Sequence, residues 1–256
     1  MSLNNKIAIV TGGARGIGRG IVLALAKAGA KVTFTYVSSS STAHADSLVH
    51  EVEALGSRAH AIRADCRNLS APDRIVTATL SNFEASHVDI LVNNAGLGSA
   101  ATTLEEITIE EYNSVMDVNV RAAIFMTQAF VRHIALGGRI VNLSSISARG
   151  GYATQSVYSA SKAAVEGLTR VWATELGPKY GATVNAVNPG PVDTDMYRAA
   201  GEVHLARMEE QNKKTPAAPR AGTESDVADI VLFLCEERSR WVTGDIVCAN
   251  GGMLFT

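Results

Sequence analysis

The chain has few cysteines, no excess of positive charge, no long hydrophobic run and no linker-like tract. Each shortage excludes something. Three cysteines in 256 residues (Cys66, Cys235, Cys248) are odd in number and widely spaced. They suggest neither a disulfide framework nor a zinc pattern, and they suit a reducing compartment. All three read as small buried side chains. The six histidines (44, 50, 60, 87, 133, 204) show no metal-ligand spacing and read as surface or loop residues, so no metal is expected. A formal charge of −2 gives no electrostatic drive toward nucleic acid or an anionic membrane. The longest apolar runs are strand-sized, too short to span a bilayer. MSLNNKIAIVTGG lacks the regions of a signal peptide, and GGMLFT carries no lipidation or retention signal. The expectation is a cytoplasmic protein. No repeat or low-complexity tract divides the chain, and SSSST (38–42) is only a short polar loop. One domain over 1–256 is therefore expected, a length that α/β domains often reach.

What is present is an ordinary globular balance, 46% apolar and 19% charged. Seven short apolar runs lie at 6–12, 31–37, 58–65, 88–96, 138–145, 182–190 and 244–252, most of them rich in Val and Ile; RAHAIRAD (58–65) reads as a strand mainly from its position. Most are continuous rather than alternating, which marks strands buried on both faces of a parallel sheet. Between them, helical spacing predicts helices at 17–29, 43–56, 73–86, 109–135 (bent, or two helices), 155–180 and 224–237. Pro72 suits the first turn of the third, and Thr223 and Asp226 suggest a capping box for the last. Strands alternating with helices imply a three-layer, doubly wound α/β (Rossmann) fold, with about seven parallel strands and helices on both faces. The irregular stretch 191–222, carrying Pro191, Pro216 and Pro219, is a natural lid over the carboxyl ends of the strands.

TGGARGIG (11–18) joins the first strand to the first helix. Its glycines at 12, 16 and 18 allow a tight turn and close approach of a ligand, and the helix start offers free N–H groups to a pyrophosphate. A lone glycine pattern is a weak sign that a tight turn also explains; its place in a βαβ unit strengthens it. An NAD site usually has an acid at the end of the second strand. Residues 31–45 contain none, whereas Arg15, Ser38 and Ser39 could serve a 2′-phosphate. The alternatives are a solvated loop charge and plain turn residues. The favoured cofactor is NADP(H).

With TGGARGIG, NNAG (93–96), Asn119, Ser145, YSASK (158–162), PGPVDTDM (189–196) and the terminal NGG, nearly the whole chain resembles the short-chain dehydrogenase/reductase family. The resemblance implies hydride transfer between a nicotinamide and a ketone or secondary alcohol, and it implies roles by position. Asn119, Ser145, Tyr158 and Lys162 match the catalytic tetrad. Gly12, Arg15, Ile17 and Gly18 match the pyrophosphate loop. Asp65 matches the acid near the adenine, with Cys66 where a larger apolar residue is usual. Asn93 and Ala95 match the wall beside the adenosine ribose, and Gly96 is placed at the cofactor beside them. Val192 and Thr194 match the contacts to the nicotinamide amide, and Tyr36, Ser38, Pro189 and Gly190 are placed at the cofactor. The family also implies a homo-oligomer, dimer or tetramer, formed through the helices near 109–135 and 155–180.

The chemistry agrees with those roles. Carbonyl reduction needs a proton donor, and Tyr158 is one; a nearby ammonium, Lys162, would favour its phenolate. Four residues apart on a helix, the two share a face. Ser145 can donate to the carbonyl oxygen. Ser144 and Ser147 rival it on chemistry alone, and family spacing selects Ser145. Asn119 is expected to hold a water linking Lys162 to solvent. Taken singly, each residue has an ordinary reading as packing, cap or solvated charge.

The substrate region is expected at 146–156 and 191–222, with Ser147, Tyr152, Met196 and Tyr197 as contacts and Met208 nearby. GGRIVNLSS, VYSASKAAVE, PVDTDMY and WVTG resemble fungal ketoreductases of aromatic polyketides and naphthols, and also 3-oxoacyl carrier-protein reductases. The latter dock their carrier with basic residues, where this chain has Leu136 and Tyr180, with Lys179 adjacent. That favours a free, apolar ketone. An alcohol or sugar dehydrogenase and a non-catalytic nucleotide-binding scaffold are the other readings of the same fold.

Overall fold

The computed structural model describes residues 1–98, 101–199 and 201–255, without the side chains of residues 203 and 204; the surface position expected for His204 lies outside that description. Seven parallel strands form one sheet in the order β3-β2-β1-β4-β5-β6-β7. They are β1 (Ile7–Val10), β2 (Lys31–Tyr36), β3 (Ala59–Arg63), β4 (Val88–Asn93), β5 (Ile134–Leu143), β6 (Thr183–Pro189) and β7 (Ile246–Ala249). The main helices are α1 (Gly16–Lys27), α2 (Thr42–Ala54), α3 (Ala71–Phe83), α4 (Ile109–Met116), α5 (Ala122–Val131), α6 (Ser156–Tyr180), α7 (Asp195–Arg198), α8 (Glu202–Asn212) and α9 (Glu224–Cys235).

The continuous apolar strands follow from two separate cores. Ala8, Val10, Val32 and Phe34 turn to one face and pack with Ile21, Leu25, Leu48, Val231 and Leu234 of α1, α2 and α9. Their neighbours Ile7, Ile9 and Leu91 turn to the other face, against Ile75, Phe83, Met126, Phe130 and Leu176 of α3, α5 and α6. Successive residues of a strand face opposite ways, so burial on both sides leaves no polar alternation to see.

Three details depart from the sequence expectations. The 109–135 segment is α4 and α5 joined by a π-helical turn over Asp117–Arg121, and it stops at Val131. β5 then begins at Ile134, earlier than expected, because Val88 pairs with Ile134 while Ile90 pairs with Arg139. The extra β5 residues form a bulge at Gly137, whose φ of +73° suits glycine. Cys235 is buried, Cys66 is only partly buried, and Cys248 is exposed. Cys248 lies on β7, an edge strand of the sheet, and is exposed there. Among the histidines, His60 lies partly buried on β3, where burial lowers its proton affinity.

The α9 start is a capping box, Thr223 with Asp226. The 191–222 excursion opens and closes at one place, where Val192 and Gly222 form a parallel bridge. Between these ends lie α7 and α8. The sheet grows outward in both directions from β1 and β4, so their carboxyl ends diverge into a crevice.

Candidate active site

A cleft of about 730 Å³ occupies that crevice. Of the residues singled out from sequence, Gly12, Arg15, Ile17, Gly18, Tyr36, Ser38, Asp65, Cys66, Ala95, Gly96, Tyr158, Lys162, Pro189, Thr194 and Met196 line it. Asn93, Asn119, Ser145, Gly190, Val192, Ser39, Ser147, Tyr152 and Tyr197 are not in its wall.

The glycine loop is clamped at both ends by backbone-directed bonds. Gly12 N–H donates to Thr35 Oγ1 at 3.0 Å, and Asn94 Nδ2 donates to the carbonyls of Thr11 and Gly12 at 2.9 and 3.0 Å. Thr11 Oγ1 accepts from the N–H groups of Asn94 and Ala95. A side chain on Gly18 would overlap the Gly12 carbonyl oxygen and lie 2.5 Å from Asn94 Nδ2. Gly12 sits at φ +65° against Ala95. The backbone of α1 is thus brought to the cleft with its first-turn N–H groups open, as a pyrophosphate requires. Gly18→Ala is expected to push the loop off Asn94 and remove most dinucleotide affinity; unchanged binding in a fluorescence titration would show that the loop does not hold it.

Two carboxylates line the cleft among the described residues, and both have arginine partners. Arg67 bonds to Asp65 at 2.6 Å and holds its carboxyl below the usual range. Asp195 of α7 lies 3.6 Å from Arg15 and 3.7 Å from Arg198. The Arg15 pair is half-exposed and therefore weak, so a phosphate can take the guanidinium from it. No acid lies at the β2 end; Thr35, Tyr36, Ser38 and Ser41 line it, with Ser39 outside. Cys66 is an inert wall: burial first, then Asp65, pushes its thiol up to about 11. Glycine cradle, open helix start and acid-free β2 end together suit a phosphorylated dinucleotide.

At the other end, α6 brings Tyr158 and Lys162 to the cleft. Lys162 is 5% exposed, and its Nζ donates to the Leu143 carbonyl at 2.7 Å. Burial lowers its pKa to about 8. Nζ lies 5.8 Å from the centre of the Tyr158 ring. Burial raises the Tyr158 phenol above its ordinary value, and a hydrogen bond from Ser145 opposes that rise. The depression expected from Lys162 is therefore not the dominant effect here.

The three candidate serines separate by their partners. Ser144 is buried and donates to Glu166 Oε1 at 2.9 Å, while Ser147 donates to Gln155 Oε1 at 2.7 Å. Ser145 Oγ accepts from the Ser147 N–H at 3.1 Å, which leaves its own proton for Tyr158 or a ligand oxygen. Asn119 is 3% exposed, and both ends of its amide are engaged. Oδ1 accepts from Leu97 N–H at 2.8 Å; Nδ2 donates to the Leu97 carbonyl at 2.9 Å and to Ser161 Oγ at 3.0 Å. The amide thus ties the π turn to the loop after β4 and to α6.

Residues 12–254 match a family model described as enoyl-(acyl carrier protein) reductase. A short-chain dehydrogenase/reductase from Cladobotryum, FrzI, is 49% identical over 99% of this chain and 97% of its own. The chain belongs to the short-chain dehydrogenase/reductase family. The hydroxynaphthalene reductase-like protein Arp2 of Metarhizium robertsii is 40% identical over 98% of this chain and 96% of its own. Among solved structures, a blue fluorescent protein from a metagenomic library, in complex with NADPH, superimposes with a TM-score of 0.92 at 42% identity, covering all of both chains.

On the substrate side of this short-chain dehydrogenase/reductase, the structure scatters the expected contacts. Met196 and Ala199 of the lid line the cleft, with Leu97 and Leu143. Tyr197 Oη instead accepts from Asn212 Nδ2 at 3.1 Å, tying α7 to α8. Met208 is buried rather than presented. Tyr152 packs against Gly150, where an added Cβ would lie 2.7 Å from its Cζ, and its ring lies under Arg207 of α8. Gly190 packs on Asn250. Asn94, Thr35, Ser41 and Arg67 are among the wall residues that sequence reasoning missed. Asn93, beside Asn94, turns inward to Thr127 and Asn142. The period of two along the strand was the available signal: adjacent residues must point to opposite sides.

Proposed function

We propose that this oxidoreductase uses NADP(H) to reduce a ketone to a secondary alcohol, with Tyr158 as proton donor. The observation that carries the reading is that Tyr158 and Lys162 line one end of a cleft whose other end is the glycine cradle, with Ser145, outside the wall, bonded to the Tyr158 phenol. When bound, the nicotinamide supplies the hydride. Ser145 holds the carbonyl oxygen by donating its free proton. Tyr158 gives its proton to the developing alkoxide. Lys162 holds positive charge beside the phenol and can bond to a ribose hydroxyl. The Asn119 amide is occupied, so any water it contributes would sit on a backbone carbonyl of the π turn, where the normal helical ladder is interrupted. The decisive assay follows NADPH absorbance with cyclic and aromatic ketones; no decay with any of them would count against ketone reduction.

The preference for NADP(H) rests on the acid-free β2 end and on Arg15, and the NADPH-bound neighbour supports it. Arg15→Ala is expected to raise the KM for NADPH by roughly 10- to 100-fold, the worth of one or two charge-assisted bonds, and to leave that for NADH little changed. Equal effects on both would remove Arg15 from 2′-phosphate recognition.

The substrate proposed is a free, apolar, cyclic or polyketide-like ketone. Leu97, Leu143, Met196 and Ala199 give the cleft an apolar end, and the naphthol-type relative supports the choice. A carrier-bound acyl substrate is the second reading, favoured by the description of the matching family model. Against it, Leu136 is 83% exposed where a basic docking residue would stand, and Lys179 lies over the Tyr180 ring. Turnover of an acetoacetyl carrier protein but of no free ketone would reverse the choice. We further propose a cytoplasmic homo-oligomer, a dimer or tetramer paired through α4, α5 and α6, where Ile109, Tyr112, Phe125 and Val171 are exposed. A monomeric mass in solution would overturn the pairing. Among the described residues no helix is long and apolar enough to cross a membrane.

A further inference from the structure

A second charged centre lies behind the cleft, and the reaction above does not use it. Glu166, on α6 one turn beyond Lys162, is 5% exposed, yet all its polar contacts are filled. Its Oε1 accepts from Ser144 Oγ at 2.9 Å and from Asn188 Nδ2 at 3.1 Å, and its Oε2 accepts from Arg149 Nε at 2.9 Å. These donors come from three segments: the end of β5, the end of β6, and the loop after Ser145. Asn188 also donates to the Ser145 backbone carbonyl at 2.8 Å, and its own Oδ1 is buried without a partner.

A buried carboxylate is costly, and it persists only where its bonds are complete. Packing alone at this position would be served as well by an apolar side chain. Here the charge fixes the flanks of one residue. Ser144 before Ser145, the Ser145 carbonyl through Asn188, and Arg149 after the short turn all lead back to one carboxylate. The carboxylate rides on the same helix face as Tyr158 and Lys162, which sets the Ser145 hydroxyl against the phenol.

We infer that Glu166, paired with Arg149, is a positioning residue that sets Ser145 relative to Tyr158. The inference rests on the proposed roles of those two residues. Glu166→Gln is close in shape but loses the ionic bond to Arg149. It is expected to lower kcat by roughly 10- to 100-fold, the cost of a misplaced donor, with NADPH affinity and substrate KM unchanged. The distinguishing measurement is the cycle with Ser145→Ala. If Glu166 acts through Ser145, Glu166→Gln adds nothing to kcat in the Ser145→Ala background. If its effect multiplies there in full, or if kcat is normal in the single variant, the positioning role is overturned. If Ser145→Ala itself leaves kcat intact, the reading of the site fails and the inference fails with it. Should Glu166→Gln not fold, Arg149→Gln, at the more exposed end of the pair, is read in the same cycle with the same outcomes.

Discussion

Tyr158→Phe is expected to lower kcat by about 10²–10⁴, the usual worth of a positioned proton donor, while NADPH binding survives. The ring remains, so the wall of the cleft keeps its shape. The glycine loop that would hold the diphosphate is at the other end and does not touch the phenol. Stability should change by little more than the one lost hydrogen bond with Ser145, about 1 kcal/mol. The pH dependence follows from the same shift. With its pKa above the ordinary value near 10, the phenol stays protonated through the neutral range, so ketone reduction should show no loss between pH 6 and 8 from this group. Alcohol oxidation needs the phenolate and should accelerate as pH rises. A Tyr158→Phe enzyme with near-normal kcat would remove Tyr158 from the chemistry; stopped-flow single turnovers with excess enzyme give the measurement free of product release.

Much of this arrangement was legible in the chain, and what was not has definite causes. Most of the seven strands showed as continuous Val- and Ile-rich runs because both faces of the sheet are covered, whereas β3, with only Ile62 buried, was placed by its position in the alternation. The glycine loop showed because close backbone approach excludes side chains, and Gly18 is the plain instance. The start of β5 did not show, since Ile134 continues the apolar pattern of α5 and only the pairing with Val88 makes it a strand. Neither did the choice between Asn93 and Asn94, which needs the strand's phase. Asn119 was found by resemblance, but the bonds of its amide to Leu97 and Ser161 were not legible, because those partners come from distant segments. Glu166 and Arg149 read as one helical acid and one loop base. A pair made by the fold across a strand end leaves no periodic trace in sequence.

Lys162→Met carries the other large effect, and it should cut in two directions. Turnover should fall by about 10²-fold or more, since both the charge beside the phenol and a ribose contact are lost. The ligand-free protein, however, should become slightly more stable at neutral pH. The folded lysine has its pKa lowered to about 8, against 10.5 for an unperturbed one. Below pH 8 both states carry the proton, and keeping the charged form buried costs on the order of 3 kcal/mol. Methionine removes that cost but leaves the Leu143 carbonyl without its donor, which returns about 1–3 kcal/mol. The expected net gain is about 1 kcal/mol, or a Tm about 2–4 °C higher. The sign of the pH dependence is fixed. Between pH 8 and 10.5 the unfolded chain binds more protons than the folded one, so wild-type stability gains from this group as pH rises. The advantage of Lys162→Met should therefore shrink across that window and vanish above it. Catalysis runs the opposite way, with kcat/KM for NADPH falling above about pH 8 as Lys162 loses its charge in the free enzyme. Thermal melts at pH 7 and pH 10 decide the first point: a Lys162→Met advantage that grows with pH would mean that the buried ammonium is not a source of strain.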